Sequence, residues 1–294
     1  MEIKLSITIC TYNRAEYLKN ALASLAKQSL AKESYEVVVI NNNSNDRTEE
    51  VSLSFEKSSP EVNFQYVIEE RQGLSFARNR GIEVARGHYI AFIDDDAIAD
   101  KNYAASVVEA LDTYQDFSAL GGKVIPFYDQ GVELKWLSKY VWGMVAKVDL
   151  GEHVKPFAKK YPAGCNMVFR KNIFEEIGLF DTELANRCDD RYIFSQVKKY
   201  GLKVLYDPGV KVEHYIPNQR VTEEGIVKLS KLNGSEHRKL LRDSKLKQFA
   251  KLFDYLVKLG LSVILSVGFI LKGEPEKTKI VKIMYYSLVG FMSK

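Results

Sequence analysis

Three consecutive carboxylates, Asp94, Asp95 and Asp96, follow the apolar run of residues 89–93. Side by side at the end of a buried strand they repel one another and resist desolvation, so folding alone gives little reason for them. Carboxylate oxygens are preferred ligands of Mg²⁺ and Mn²⁺, and a bound cation cancels the repulsion. Strand alternation sends Asp94 and Asp96 to one side and Asp95 to the other. The run predicts a divalent-cation site, with a solvated acidic turn as the alternative.

Positively charged and aromatic residues lie near this run. A cation with only two or three protein ligands completes its shell with phosphate oxygens, so we expect a nucleotide diphosphate as its partner. Arg71, Arg78 and Arg80 come before the acidic strand, where they can meet phosphate, although arginine on a helix face is commonly only solvated. Tyr12 follows the first predicted strand and offers a ring on which a base can stack. Together these residues favour a nucleotide site beside the cation.

A second acidic pair, Asp189 and Asp190, opens a later predicted helix. Carboxylates at that position favour the helix dipole, so helix capping is one interpretation. The other is general-base chemistry, because two neighbouring acids raise the pKa of one of them, and that carboxylate can take a proton from an attacking hydroxyl. His214, in the segment VKVEHYIP, fits either a surface residue or a metal ligand, and its neighbours alone do not decide.

Short β-branched runs alternate with helical patterns over the first hundred residues. Strands are predicted at residues 4–10, 35–40, 64–68 and 89–93, and helices at residues 14–29 and 75–84. Alternation of this kind predicts an α/β fold with a mostly parallel sheet covered by helices, in which ligands bind at the carboxyl ends of the strands. The acidic run lies at such an end.

The later part of this unit is less regular. We expect a helix at residues 104–111, an irregular stretch at residues 121–160, and a short helix that Asn172 caps and Gly178 ends. A further helix is predicted at residues 189–200. Two edge strands, at residues 203–206 and 210–213, would follow it. The catalytic unit would finish near residue 220.

The charges are unevenly distributed along the chain. Residues 228–294 contain 14 Lys and Arg against 5 Asp and Glu, whereas residues 1–227 contain 28 against 33. Anionic lipid and nucleic acid would both suit the basic segment, and its sign alone does not choose between them. No nucleic-acid-binding module is recognisable in the sequence, so we expect no nucleic-acid partner.

The basic segment contains two apolar stretches. Residues 246–271 form a basic amphipathic pattern whose longest uncharged stretch has 13 residues, fewer than the about 20 that cross a hydrocarbon core. Residues 280–292 contain Lys282 and several aromatic residues. Both patterns favour helices that lie in a membrane interface. Helices that simply pack on the globular domain are the alternative, because amphipathicity also serves a core.

Composition bounds the class of protein and its compartment. With 46% hydrophobic and 27% charged residues, the chain is typical of globular rather than disordered proteins. Cys10, Cys165 and Cys188 lie far apart without CxxC spacing, which argues against a disulfide framework and a structural zinc site. The first residues, MEIKLSITIC, lack the features of a signal peptide, so we expect a cytoplasmic protein.

The order of motifs resembles the inverting family 2 glycosyltransferases of the GT-A fold over about residues 3–216. The segments that carry the resemblance are SITICTYNR (6–14), VVVINNNSNDRT (37–48), GLSFARNRGIEVARGHYIAFIDDDA (73–97), YPAGCNMVFRK (161–171), GLFD (178–181), CDDRYIFSQVKKYG (188–201) and VKVEHY (210–215). Each is a modest signal, but seven in this order at family-like spacing are specific. The resemblance implies a Rossmann-like, mostly parallel sheet flanked by helices, followed here by a C-terminal amphipathic helical region.

The resemblance implies a donor site. Thr11 and Tyr12 would contact the nucleoside, and Asp94 would contact its ribose. Gly164 would leave room for the sugar, since a residue without a side chain permits close approach. The other residues expected to contact the donor are Arg14, Asn42, Arg71, Arg78 and Asp95.

The resemblance also implies a mechanism. Asp96 would bind the divalent metal, Mn²⁺ or Mg²⁺, on the diphosphate, with His214 as the second protein ligand. Asp190 would be the base that deprotonates an acceptor hydroxyl. That hydroxyl would attack the anomeric carbon from the face opposite the nucleotide and invert its configuration, while the metal stabilises the leaving diphosphate.

Two positions depart from the family pattern. The family commonly has an aspartate that accepts a hydrogen bond from the base, where this chain has Asn41 and Asn42, and an amide can both accept and donate. The usual Glu-Asp pair is Asp189-Asp190 here, preceded by Cys188 instead of glycine. The shorter first acid keeps Asp189 as an alternative base.

The predicted function is transfer of a sugar from a nucleotide-sugar, with a UDP-sugar favoured, to a lipid-linked or cell-surface glycan. Residues 1–220 would form the catalytic domain, and residues 221–294 would hold the enzyme on the inner face of the cell membrane through anionic lipid. A sugar-phosphate nucleotidyltransferase is the alternative enzyme, although the segment TYNRAEY lacks the glycine-rich loop expected after its first strand. A non-catalytic nucleotide-sugar-binding protein also stays open.

Overall fold

The computed structural model describes residues 2–129, 132, 134–158, 160–184 and 188–293. The chain divides into two compact units, the first comprising Met1–Ile125 and Val148–Tyr215 and the second Pro126–Lys147 and Ile216–Lys294. The second unit therefore takes in a segment from the middle of the sequence. The domain boundary predicted at residue 220 stays a prediction.

The first unit begins with strands and helices in alternation. Its first elements are β1 (Leu5–Thr11), α1 (Ala15–Ala26), β2 (Tyr35–Asn41), α2 (Thr48–Ser58), β3 (Asn63–Ile68), α3 (Leu74–Val84) and β4 (Tyr89–Asp94). The predicted bounds of the four strands and of α3 are correct to within one residue. Helix α2 was not predicted, because its segment, TEEVSLSFEKS, presents few apolar residues and buries only Thr48, Ser52 and Phe55.

The remaining elements of the sheet unit are shorter and less regular. They are β5 (Ala97–Ala99), α4 (Tyr103–Thr113), β6 (Ala119–Phe127), β7 (Lys155–Pro156), β8 (Met167–Arg170), α5 (Ile173–Ile177), α6 (Asp189–Lys199) and β9 (Val204–Tyr215), with 3-10 turns at Lys32–Ser34 and Thr182–Leu184. Helix α5 lies between Asn172 and Gly178, as predicted, and Gly178 has the positive φ of 78° that ends it.

Among the described residues, the strands form one mixed sheet in the order β3-β2-β1-β4-β8-β6-β9-β5, with β7 also paired to β9. The α/β class is confirmed. Parallel pairs join β3, β2, β1 and β4 in that order. Antiparallel pairs join β8 to β4 and β6, and β9 to β5 and β7. The strands β1, β2 and β4 are almost entirely buried, as expected for parallel strands covered on both faces.

The prediction of two edge strands at residues 203–206 and 210–213 is wrong. A single strand, β9, covers both segments and lies inside the sheet. The sequence Asp207-Pro208-Gly209 has the composition of a turn, but the segments before and after it both pair in the sheet. The segment before it pairs with β7, and the segment after it pairs with β5. Strand β6 also lies beside β9 in the sheet. Gly122 on β6 permits the close approach of these two strands, because a Cβ there would lie 1.6 Å from the Val210 carbonyl oxygen.

The second unit is helical. It contains α7 (Asn218–Val221), α8 (Glu223–Leu240), α9 (Lys245–Leu271) and α10 (Lys279–Met292), with 3-10 segments at Lys139–Val145 and Pro275–Thr278. Helices α8 and α10 pack closely, since a Cβ at Gly234 would lie 2.0 Å from the Ser287 carbonyl oxygen. The residues Ile280, Ile283, Leu288 and Phe291 of α10 are buried. Much of the second apolar stretch therefore packs within this unit.

Helix α9, unlike α10, exposes most of its apolar surface. It buries Tyr255, Ser262 and Ser266 and exposes most of its large apolar side chains. Among them are Leu246, Phe249, Phe253, Leu256, Leu261, Ile264, Val267 and Leu271. Within the described part of the chain, α9 is the one helix long and apolar enough to cross a membrane by length and composition. The 13-residue uncharged stretch therefore does not by itself exclude a span.

Candidate active site

The acidic residues lie where the carboxyl ends of several strands meet. Asp94 is the last residue of β4, and Asp95 and Asp96 form the turn that leads into β5. In the parallel register of β1 and β4, Cys10 pairs with Asp94, which brings Thr11 beside the turn. His214 arrives from β9, where it pairs with Ala97. Three segments far apart in sequence, the end of β1, the end of β4 with its turn, and β9, thus deliver polar side chains to one place.

Asp94 and Asp96 face the same imidazole, although Asp95 and Asp96 lie in a turn and not in the strand from which alternation was predicted. His214 Nε2 lies 3.1 Å from Asp96 Oδ1 and 3.9 Å from Asp94 Oδ2. His214 is 4% exposed and Asp96 is 8% exposed. Two carboxylates and one imidazole nitrogen thus face one another in a mostly buried place. Carboxylate oxygen and imidazole nitrogen are both ligands of divalent cations, so this set of donor atoms fits such a site.

Arg14 supplies positive charge to the same carboxylates. Its guanidinium lies 2.5 Å from Asp96 Oδ2 and 3.1 Å from Asp95 Oδ1. Burial raises the pKa of Asp96, but His214 and Arg14 outweigh it and hold that pKa at about 2. Burial raises the pKa of Asp95 to about 7, against the opposing charge of Arg14. Thr11 Oγ1 donates to Asp95 Oδ2 at 2.8 Å, so Asp95 points away from His214 toward β1.

Arg78 links the two acidic pairs. Its side chain is 3% exposed, and it donates to Asp189 and, at 3.2 Å, to the Gly164 carbonyl oxygen. The same guanidinium lies 3.5 Å from Asp94 Oδ1. Burial lowers the pKa of Arg78, but the charges of Asp189 and Asp94 outweigh it and raise that pKa. Arg78 is therefore a buried cation that ties the end of β4 to the start of α6.

Asp190 differs from its neighbour Asp189. Asp189 is 3% exposed and paired with Arg78, whereas Asp190 is half-buried and accepts from the Arg191 backbone at 2.7 Å. Burial and the charge of Asp189 raise the pKa of Asp190. A Cβ added to Gly164 would lie 3.1 Å from an Arg78 nitrogen and 3.6 Å from Asp190 Cβ. The glycine thus keeps open the space between these two side chains.

Three residues predicted to contact the donor lie outside this cluster. Arg71 is paired with Glu69 and is 66% exposed, and Tyr12 is 48% exposed. Asn42 Nδ2 donates to the carbonyl oxygens of Glu69 and Arg71, and its Oδ1 accepts from the Gly73 backbone. The Asn42 amide therefore holds the loop before α3. The donor roles of these residues stay predictions.

Sequence reasoning missed two features of the cluster. Cys165 belongs to a group with Asp94 and His214 in which one ligand atom from each lies within 4.8 Å of the others. The ion pair of Arg14 with Asp96 was not predicted either. The only sequence signal was the position of Cys165 beside Gly164, because these contacts join segments that are distant along the chain.

The arrangement combines two chemical capabilities. Asp96, Asp94 and His214 can hold a hard or borderline cation whose remaining positions face a ligand. Asp190, whose pKa is raised by burial and by the charge of Asp189, can accept a proton. Arg78 and Gly164 lie between these two groups, so a substrate could contact the cation on one side and the base on the other.

Known proteins with related sequences are glycosyltransferases. A family model described as glycosyl transferase family 2 matches residues 6–178. Glucosyl-dolichyl phosphate glucuronosyltransferase of Haloferax volcanii is 24% identical over 235 residues, covering 76% of this chain and 73% of that protein. The uncharacterized glycosyltransferase YwdF of Bacillus subtilis is 27% identical over 202 residues, covering 68% of this chain and 70% of that protein.

Solved structures share the fold at lower identity. The mannosyltransferase PcManGT of Pyrobaculum calidifontis, in complex with GDP-Man and Mn²⁺, has a TM-score of 0.69 at 18% identity, covering 99% of this chain and 88% of that one. Residues 1–349 of S. aureus TarS, in complex with UDP, have a TM-score of 0.57 at 17% identity, covering 98% and 89%. At this identity the similarity establishes the GT-A fold.

Proposed function

The chain belongs to glycosyltransferase family 2, and from this premise we propose that it is a metal-dependent, inverting enzyme. Its donor is a nucleotide-sugar, for which we propose a UDP-sugar, and its acceptor is a hydroxyl of a lipid-linked or cell-surface glycan. One observation carries the proposal: Asp94, Asp96 and His214 converge at the end of β4, and Arg78 connects them to the acidic start of α6.

The diphosphate end of the site consists of Asp96 and His214. Both are buried, and His214 Nε2 lies 3.1 Å from Asp96 Oδ1. These two residues would hold Mn²⁺ or Mg²⁺, which when bound offsets the negative charge that develops on the leaving diphosphate. Solved neighbours of the same fold were crystallised with Mn²⁺, which supports this assignment.

Asp190 is the proposed base. Burial and the charge of Asp189 raise its pKa, which makes its carboxylate a stronger base toward the proton of an acceptor hydroxyl. The proton moves to the Asp190 carboxylate while the hydroxyl oxygen forms a bond to the anomeric carbon. The bond from that carbon to the diphosphate oxygen breaks, and its electron pair leaves with the nucleotide. Attack from the opposite face inverts the anomeric configuration.

Asp189 is better suited to positioning. Its carboxylate is committed to Arg78, which is itself buried, so a proton on Asp189 would leave an uncompensated cation in the interior. Arg78 also contacts Asp94 and the Gly164 carbonyl oxygen. We therefore assign Asp189 the task of holding Arg78, and Asp190 the task of proton transfer.

The second unit would bring the enzyme to its acceptor at a membrane. Helix α9 exposes a row of large apolar side chains, and residues 228–294 carry 14 Lys and Arg against 5 Asp and Glu. Each basic residue near anionic lipid contributes on the order of 1 kcal/mol. One relative is named for its action on a glucosyl-dolichyl phosphate, which supports a lipid-linked acceptor here. We propose that the protein lies on the cytoplasmic face of the cell membrane.

The test is a screen of nucleotide-sugars with purified protein, Mn²⁺ or Mg²⁺ and membrane lipid extracts as acceptor source. The expected result is release of nucleoside diphosphate that depends on the cation and is lost in Asp96→Asn. Release of pyrophosphate from a sugar phosphate and a nucleoside triphosphate would instead support a nucleotidyltransferase. Tight binding of UDP with Mn²⁺ but no turnover with any donor would support a non-catalytic binding protein.

A further inference from the structure

Asp94, Cys165 and His214 form a mixed set of ligand atoms beside the proposed diphosphate metal. One atom from each residue lies within 4.8 Å of the other two. Cys165 and His214 are 3% and 4% exposed, while the Asp94 side chain is 36% exposed. The set therefore has two buried members and one that solvent can reach. An ion could enter past Asp94.

The backbone that carries the thiol is firmly held. The next residue, Asn166, is fully buried, and its Nδ2 donates to the Val210 carbonyl oxygen at 2.9 Å. Its Oδ1 accepts from the Tyr103 hydroxyl at 3.2 Å, and its backbone N–H donates to Ala163 at 2.8 Å. Buried side-chain networks of this kind fix local geometry. The thiol therefore belongs to a prearranged site rather than to a mobile loop.

The two candidate cation positions differ in what already occupies them. At Asp96, the Oδ2 oxygen accepts from Arg14 at 2.5 Å, so a cation must compete with a guanidinium there. At Asp94, Arg78 lies 3.5 Å from Oδ1, while Oδ2 faces His214 Nε2 at 3.9 Å. An ion between Asp94 Oδ2 and His214 would not displace Arg14. This second position is the less obstructed of the two.

The donor atoms select the kind of ion. A thiolate, an imidazole and a carboxylate with a fourth position open are typical ligands of zinc, whereas Mg²⁺ and Mn²⁺ prefer oxygen. At typical zinc bond lengths, ligand atoms lie about 3.3–3.8 Å apart, which side-chain adjustments of about 1 Å would reach from the present arrangement. His214 faces Asp94 with its Nε2 atom, which is therefore the ring nitrogen that would bind the ion.

We propose that Asp94, Cys165 and His214 form a second cation position, selective for thiophilic ions such as Zn²⁺. Because it shares His214 with the position at Asp96, the two cannot be filled independently. If the proposed function holds, a zinc ion here also occupies Asp94, the predicted ribose contact. Zinc then inhibits the enzyme at the donor site instead of supporting turnover.

The experiment measures metal binding alone, without donor or acceptor. The full-length protein is titrated with Zn²⁺ against a competing chelator. Separate samples receive Co²⁺ and Cd²⁺, whose bonds to thiolate give charge-transfer absorption. We expect the wild type to bind one equivalent of Zn²⁺ and to show the thiolate charge-transfer band with Co²⁺ and Cd²⁺. In Cys165→Ser the band should disappear and the Zn²⁺ affinity should fall roughly a hundredfold or more, as expected for loss of a direct ligand.

Cys188→Ser is the matched control, because Cys188 is a part-buried thiol outside the set of Asp94, Cys165 and His214. This substitution should leave the thiolate band and the Zn²⁺ affinity unchanged. If Cys165→Ser does not fold, as judged by circular dichroism, Asp94→Asn in the wild-type background should weaken Zn²⁺ while keeping the thiolate band. A wild type without a thiolate band, or a Cys165→Ser variant that binds Zn²⁺ as tightly, would overturn the proposal. Neither outcome depends on whether the protein transfers sugar.

Discussion

The guanidinium of Arg14 lies 2.5 Å from Asp96 Oδ2, on the carboxylate that is expected to bind the diphosphate metal. The same side chain reaches Asp95 at 3.1 Å. Arg14 thus supplies, in the absence of a cation, part of the positive charge that the acidic turn requires. Binding of a cation at Asp96 must either displace Arg14 or use the other oxygen.

This competition predicts that Arg14→Gln binds Mn²⁺ more tightly when no nucleotide is present. Removing a close positive charge should lower the Mn²⁺ dissociation constant roughly tenfold, about 1.4 kcal/mol. UDP binding in the presence of Mn²⁺ should weaken, if Arg14 also meets the diphosphate. Calorimetry measures both quantities. Arg47→Gln is the control, since Arg47 pairs with Glu16 on the surface and should not change either affinity. Weaker Mn²⁺ binding by Arg14→Gln would contradict the prediction.

The elements that place these residues were largely predictable, but their contacts were not. Periodicity located β1 to β4 and α3, and parallel strands put the acidic run at a shared edge. Local patterns carry no information about which distant segment supplies the counter-charge. The ion pair of Arg14 with Asp96, the place of Cys165 beside Asp94 and His214, and the double role of Arg78 were therefore missed. The sequence pattern predicted two strands in place of β9, because the Pro-Gly at its centre is typical of a turn. Pairing of β9 with β5 and β7 overrides this local preference for a turn.

Asp190→Asn should reduce turnover about a thousandfold, as expected for loss of a general base, while UDP and Mn²⁺ binding persist. Asp189→Asn should instead destabilise the fold by about 3–5 kcal/mol, because it leaves Arg78 buried without its main partner. Comparing turnover with urea denaturation for both variants separates the two roles. If Asp189→Asn is stable but inactive and Asp190→Asn remains active, the assignment of the base must be reversed.

The raised pKa of Asp190 predicts a pH profile. The base acts when deprotonated, so kcat/KM should fall on acidification at a pH above the 3.8 of an ordinary aspartate. Asp189→Asn removes a negative neighbour and leaves Arg78 uncompensated, and both changes lower the pKa of Asp190. The fall of kcat/KM on acidification should therefore occur at lower pH in this variant, measured at a temperature at which the variant stays folded. If the fall occurs at the same pH as in the wild type, a group other than Asp190 titrates.

Asn42→Asp tests what the amide of Asn42 contributes to the loop before α3. Asn42 donates to two carbonyl oxygens, and a carboxylate there would face both without a donor. We expect a loss of about 2–4 kcal/mol of unfolding free energy at neutral pH. The introduced acid should have a raised pKa in the folded state, so the loss should shrink as the pH falls toward about 4. Asn43→Asp, at an exposed neighbour, is the control. Equal stability of the two variants would be evidence against this account of Asn42.

The outward face of α9 predicts membrane binding through a few large side chains. Phe249, Phe253 and Ile264 are 70%, 63% and 68% exposed, and burying such a side chain in lipid is worth about 1.5–3 kcal/mol. Replacing all three by serine should reduce sedimentation with vesicles containing phosphatidylserine by tenfold or more, without unfolding the protein. Point substitutions are preferable to deleting the segment, because Tyr255 of α9 and Phe291 of α10 pack in a shared apolar cluster.

A charge contribution should appear separately in the same assay. Vesicle binding by the wild type should weaken as the salt concentration rises, because salt screens the excess positive charge of Lys and Arg in residues 228–294. The contribution of the apolar side chains of α9 should persist. Leu53→Ser combined with Tyr200→Ser removes exposed apolar residues outside α9 and should leave vesicle binding unchanged. If the triple α9 variant binds as well as the wild type at every salt concentration, the exposed face serves another partner. The acceptor would then have to reach the active site without help from this helix.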